Sequence, residues 1–171
     1  MGGDLGRRDG REWGMSMPLL SLYRRITRWP AGHWLFSRAV CFRAPYFSTI
    51  SPRFVMLEPG RCEVRMADRR RVHNHIGTVH AIALCNLAEL SAGVMAEATL
   101  PASMRWIPQG MTVQYLAKAR GTMHAVAAPE VAAVESAEGY EWPVVVRVSD
   151  PAGKEVFRAR IALWLSPRPK H

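Results

Sequence analysis

The stretch from Val79 to Ala98 limits what this chain can become more than any other. It runs for twenty residues, rich in Ala, Leu, Val and Met, with no Pro and one central Gly93. Such a run predicts one long α-helix with Thr78 as its N-cap. Because apolar residues occupy nearly every side, the helix needs cover on most of its surface. Asn86 and Glu89 stand at its middle, and an ionised carboxylate at a bilayer centre costs about 3 kcal/mol. A core helix is therefore expected, not a membrane span.

What must cover it is written on either side. Tyr46–Leu57 and Arg61–Ala67 read as two strands joined at Glu58-Pro59-Gly60, a turn in which Pro and Gly set the backbone angles. Beyond Pro101 four β-rich segments follow, Met111–Lys118, Thr122–Val134, Glu141–Ser149 and Lys154–Leu165, with turns at Ala119-Arg120-Gly121, Glu138-Gly139 and Asp150-Pro151-Ala152-Gly153. The expectation is an α+β domain in which an antiparallel sheet of about six strands, the last four in a meander, wraps one central helix.

Ahead of this domain, Leu19, Leu22, Tyr23, Ile26 and Trp29 recur at helical spacing opposite Arg24, Arg25 and Arg28, and Pro30 and Gly32 close the pattern. A second helical stretch covers Trp34–Ala44. Both read as N-terminal caps on the sheet, and a basic, Trp-bearing helix lying on a membrane surface is the sharper alternative. The chain thus divides into a Gly- and Arg-rich tail or over-extended start at 1–16, cap helices at 17–45 and the main domain at 46–171, with Met15 or Met17 as the expected true beginning.

Composition narrows the class of partner. A formal charge of +9 favours anions, whether phosphorylated cofactors, acidic carrier proteins or membrane surfaces. Nucleic acid is not expected, because the basic residues interleave with no recognisable nucleic-acid motif. Cys41, Cys62 and Cys85 are odd in number and far apart, so neither a disulfide framework nor a cysteine zinc site is suggested, and a cytoplasmic setting fits. His73, His75 and His80 lack a Cys or carboxylate at ligand spacing, so no metal is expected.

Glu89 is the residue most suggestive of chemistry. Its helical neighbours are Ile82, Cys85, Asn86, Gly93 and Ala96, so the carboxylate projects from a face otherwise small or apolar and is expected to be buried there. That suits a general base; the plainer alternative is a charge at a helix edge, satisfied by Arg or water. Before the helix lies the loop His73-Asn74-His75-Ile76-Gly77-Thr78. Asn74 can equally be a turn former in a left-handed conformation, and His80 a core or capping histidine. The run Arg69-Arg70-Arg71 reads either as a phosphate contact or as a solvated turn.

Asn74-His75-Ile76-Gly77-Thr78-Val79-His80, with Glu89 nine residues after the His, resembles the active-site signature of hotdog-fold acyl-CoA thioesterases of the phenylacetate-degradation type. The resemblance runs from about Tyr46 to Leu165 and implies the hotdog fold. It implies that Glu89 activates water or attacks the thioester carbonyl, that Asn74 holds water or substrate, and that His80 positions the thioester. The amide of Ala81, at the positive end of the helix dipole, would stabilise the oxyanion. Gly77, Thr78 and Ile82 would line the substrate, and Arg69, Arg70 and Arg71 would meet coenzyme A phosphates or an acidic carrier. No cofactor is implied beyond coenzyme A as part of the substrate. Where the family has Gly-Gly after the His, this chain has Ala81-Ile82, which is similar to a poorly characterised branch with altered glycines. The amide survives that change, while the added side chains narrow the approach to it.

Ala81 and Glu89 are eight residues apart, about 12 Å along one helix axis. One carbonyl carbon cannot lie about 3 Å from both. If both act, Glu89 comes from a second copy, so a homodimer, or a tetramer built from it, is expected. A thioesterase acting on acyl-CoA or acyl-carrier thioesters is the leading expectation. The rivals are a non-catalytic acyl-binding hotdog protein and a hotdog hydratase or dehydratase.

Overall fold

The computed structural model describes residues 19–169. The expected tail at 1–16 lies outside them, as does Met17. Two helices open the described chain, α1 (Leu19–Ile26) and α2 (Gly32–Arg43), followed by a 3-10 turn over Pro45–Ile50. Strands β1 (Pro52–Glu58) and β2 (Arg61–Met66) form the expected hairpin, turning at Gly60 with φ +77°. The long helix α3 (Ala81–Thr99) comes next, then β3 (Met104–Tyr115), β4 (Met123–Pro129), β5 (Tyr140–Ser149) and β6 (Glu155–Pro167).

All six strands join one antiparallel sheet in the order β1-β2-β4-β5-β6-β3. This is the hotdog arrangement, with the sheet wrapped around α3. Each central strand alternates core and surface: Val144, Val146 and Val148 of β5 are fully buried, as are Met123, Ala125 and Ala127 of β4. Small Ala side chains let β4 approach the helix closely. Leu87, Leu90 and Met95 of α3 fill the space between, beside Phe54, Trp142 and Phe157. By length and composition α3 could cross a membrane, but 61% of that apolar window is buried inside the protein.

The two N-terminal helices close the β1 side. Tyr23 meets Phe36 and Phe36 meets Phe54 edge to face, with centroids 5.0 and 5.1 Å apart. Ser37 Oγ accepts from the Phe54 amide at 2.9 Å and donates to the His33 carbonyl at 2.6 Å, so one hydroxyl pins α2 to the sheet.

Several boundaries depart from the sequence reading. Residues 45–50 coil instead of starting a strand: Pro45 suits a helical first turn, Thr49 Oγ1 bonds back to the Tyr46 carbonyl at 2.8 Å, and Ser51, with φ 43°, turns the chain into β1. Val79 is not helical, because its amide is taken by the Ala119 carbonyl at 2.9 Å and it bridges to His73. Strand β3 begins at Met104 and passes through Pro108 and Gly110 with a bulge between them, a position and strand type that tolerate Pro. The last four strands are not a simple meander. Only β4, β5 and β6 are; β3 pairs with β6 and forms the far edge. Its side chains, mostly exposed on both faces, suit an edge, whereas β4 carries the apolar row needed in the centre.

Candidate active site

The loop before α3 is held by its own polar groups. Asn74 Oδ1 accepts the amides of Ile76 and Thr78, both at 3.1 Å, and Asn74 Nδ2 donates to Thr78 Oγ1 at 2.8 Å. Its backbone closes the same turn, with Asn74 N–H to the Thr78 carbonyl at 2.9 Å and Gly77 N–H to the Asn74 carbonyl at 3.2 Å. Asn74 is thus a turn former, but without a left-handed backbone; that conformation falls on Gly77, φ +73°. One of its two amide hydrogens is left for another acceptor.

Asp68, which the sequence did not single out, anchors this loop from below. Its carboxylate bonds His73 Nε2 and accepts the Gly121 amide at 2.6 Å. The hydrogen bond from His73 foremost, then the Gly121 amide and the charges of His73 and Arg120, hold the Asp68 carboxyl below its ordinary value despite partial burial. Nothing in its position beside Ala67 marked it, since its partners are 5 and 53 residues away. Among the described residues no three His, Cys, Asp or Glu side chains gather as a metal would need.

The helix N-cap is His80, not Thr78. His80 is extended (φ −67°, ψ 139°) and its Nδ1 accepts the Ile82 amide at 3.1 Å, while Thr78 is buried and serves Asn74. A ring nitrogen that accepts carries no proton, so the neutral ring bears its hydrogen on Nε2. The Ala81 amide begins the helix and has no acceptor one turn earlier. Asn74, Gly77, Thr78, His80, Ala81 and Ile82 therefore gather at the positive end of α3. Arg69, Arg70 and Arg71 precede them and are exposed, with Arg71 bonding Ser51 Oγ.

Glu89 stands apart from this group. Within one chain it is exposed, not enclosed as its neighbours suggested. The reason is that α3 is covered on most sides but not all. Ile82, 56% exposed, and Glu89 lie seven residues and two turns apart on one face, with Cys85, Gly93 and Glu97 half-buried along the same stripe. The edge strand β3 flanks it. Tyr115 Oη lies 3.4 Å from Cys85 Sγ, and the Trp106 ring packs on Gly93. The contact with Cys85 foremost, then partial burial, pushes the Tyr115 hydroxyl up to about 12. Tyr115 was missed as the partner of Cys85 because the pairing of β3 was not legible.

The family model described as "Domain of unknown function (DUF4442)" matches residues 32–165, from α2 into β6. The chain belongs to this family. A structural-genomics crystal structure without a functional name is 44% identical, covering 88% of this chain and 99% of that one, with a TM-score of 0.75. More distant solved structures share the fold of this DUF4442 chain. A thioesterase family protein from Silicibacter pomeroyi is 18% identical, covering 77% and 96%, with a TM-score of 0.65. A thioesterase from Haemophilus influenzae is 15% identical, covering 74% and 85%, with a TM-score of 0.64. No curated protein matches the chain in sequence.

Proposed function

We propose that this DUF4442 protein hydrolyses acyl thioesters of coenzyme A or an acyl carrier, in a site completed by a second copy of the chain. The observation that carries the reading is the placement of Glu89: an exposed carboxylate on the uncovered stripe of α3, about 12 Å along the axis from the free Ala81 amide. Neither group has its catalytic counterpart within reach in one chain. A second helix laid antiparallel on that stripe would supply both, twice, by symmetry. The edge of β3 that is open among the described residues, with its exposed Met111 and Tyr115 on the side of α3, offers the surface for that copy. The thioesterases that share the fold support the reaction class.

In this reading the thioester carbonyl oxygen points at the Ala81 amide. Glu89 of the facing copy takes a proton from water as the water oxygen attacks the carbonyl carbon. The tetrahedral oxyanion accepts a hydrogen bond from Ala81 N–H, where the helix dipole adds to it. Collapse re-forms the carbonyl and breaks the carbon–sulfur bond; the thiolate takes the proton from Glu89 and leaves as the thiol, with the acid as second product. The remaining N–H of Asn74 and the outward Nε2–H of His80 would orient water and thioester. Gly77, Thr78 and Ile82 would border the acyl group, and Arg70 and Arg71 would meet the carrier's phosphates.

The test is thiol release from a panel of acyl-CoAs by the wild type and by Glu89→Gln. A fall of at least about a hundredfold with the same unfolding temperature is expected. Hydrolysis undiminished in Glu89→Gln would defeat the assignment, and no release from any thioester would leave an acyl-binding protein.

A further inference from the structure

At the β1 edge of the sheet a cleft of about 690 Å³ opens between α2 and the β1–β2 hairpin. Four arginines from four elements line it: Arg38 of α2, Arg53 of β1, Arg65 of β2, and Arg69 from the segment that follows. Not one of its lining residues is acidic. None of these four guanidiniums has a hydrogen bond or ion pair with a carboxylate among the described residues. The outer-face carboxylate nearest along β2 is already committed, since Glu63 bonds Arg61 at 2.7 Å and His124 at 3.0 Å.

The register makes this arrangement costly. Arg53 and Arg65 are direct cross-strand partners, which sets their Cβ atoms roughly 5 Å apart, and like charges so placed destabilise a sheet. Their neighbours in sequence, Phe54, Val64 and Met66, are fully buried, so alternation fixes both arginines on the outer face. A pair that weakens the sheet and lacks an internal counter-ion is suited to an external one. The walls fit an anion with more to offer than charge. Trp34, 56% exposed, lines the cleft, and so does His33, whose enclosed Nδ1 has no hydrogen-bond partner among the described residues. The hydroxyls of Ser48 and Thr122 supply further donors.

We propose that this cleft binds a small, multiply charged phosphate anion, held by Arg38, Arg53, Arg65 and Arg69. Guanidinium forks match phosphate oxygens two at a time, and four of them match a group carrying two or more phosphates. The inference takes Arg69 from the coenzyme A contact that the resemblance implied and is otherwise independent of thioester hydrolysis, because Arg53 and Arg65 face away from the helix that carries Ala81 and Glu89.

Isothermal titration and thermal unfolding with inorganic pyrophosphate test it, using the full chain in phosphate-free buffer at an ionic strength fixed by sodium chloride. Pyrophosphate should bind and raise the unfolding temperature of the wild type. Its affinity should fall at least about tenfold in Arg53→Gln and in Arg65→Gln. Without pyrophosphate, each variant should unfold at the same temperature or higher, because it relieves the like-charge pair. Stabilisation no greater than that from chloride, undiminished binding in both variants, or loss of stability in both without ligand would each overturn the proposal. A parallel arm uses phosphatidylglycerol and phosphatidylcholine vesicles. Binding to the anionic vesicles with no response to pyrophosphate would also overturn it, and would assign the arginines to a membrane surface.

Discussion

The indole N–H of Trp106 on β3 donates to Oε2 of Glu97 on α3 at 3.1 Å, and this bond locks the ring over Gly93. A Cβ built on Gly93 would lie 2.9 Å from Trp106 Cη2. The glycine in the middle of the helix thus serves the approach of the edge strand.

Two opposed effects meet at that position. Replacing Gly by Ala inside a helix gains about 0.5–1 kcal/mol in backbone entropy, whereas forcing a methyl against a ring held by Glu97 costs about 1–3 kcal/mol. Gly93→Ala should therefore lower stability in chemical denaturation. In a Trp106→Ala background, where the obstacle is gone, the same change should raise it. A stabilising Gly93→Ala in the wild type would show that the ring yields freely.

Among the described residues strand β3 leaves one edge unpaired, and Met111, 38% exposed, stands near its middle on the side of α3. If the second copy docks along this edge and the open stripe of α3, Met111→Arg puts a desolvated charge into each half of the interface. The expected outcome is a wild-type dimer and a monomeric variant in light scattering, with thiol release lost although Glu89 is intact. A variant that stays dimeric would move the interface elsewhere.

The carboxyl of Asp68 is held below its ordinary value of 3.8, so the folded chain binds that proton less readily than the unfolded one. A group shifted in this direction stabilises the fold at pH above the unfolded pKa, and the stabilisation is lost as pH falls through the folded pKa. Glu63 moves the same way: partial burial raises it, but the hydrogen bonds and charges of Arg61 and His124 outweigh that. The unfolding temperature should thus drop as the pH falls from about 4 to about 2. Asp68→Asn should be less stable near neutral pH and should show a shallower acid drop. An unchanged slope would mean that the anchor of the loop before α3 carries no linkage.

How much of this was legible follows from the range of the forces involved. The buried helix, the hairpin and the overall wrap were written in periodicity, because Leu87, Leu90 and Met95 on one side and the Val row of β5 on the other are local patterns. The place of β3 beyond β6 was not, since strand order depends on which strand can bear exposure, and Pro108-Gln109-Gly110 reads locally as a turn. The loop Asn74–Thr78 announced its turn chemistry. Its anchor on Asp68 did not, because a bond to Gly121 spans half the domain. The sequence placed Glu89 at the centre of an apolar helix and so suggested burial. A single copy leaves it in water, because the uncovered stripe on α3 is a property of the packing.

His80 separates two roles that one side chain combines. Its Nδ1 caps α3 by accepting from Ile82, and losing an N-cap costs about 0.5–2 kcal/mol. In the proposed reaction its Nε2–H would meet the thioester. Asn is among the best capping residues, and its carbonyl oxygen can take over the bond to the Ile82 amide, but it presents no donor where the imidazole Nε2 stood. His80→Ala should therefore lower both the unfolding temperature and thiol release. His80→Asn should recover the temperature while hydrolysis stays depressed, chiefly in kcat. Recovery of both by Asn would leave His80 as a cap alone, with the orientation of the thioester falling to Asn74 and the Ala81 amide.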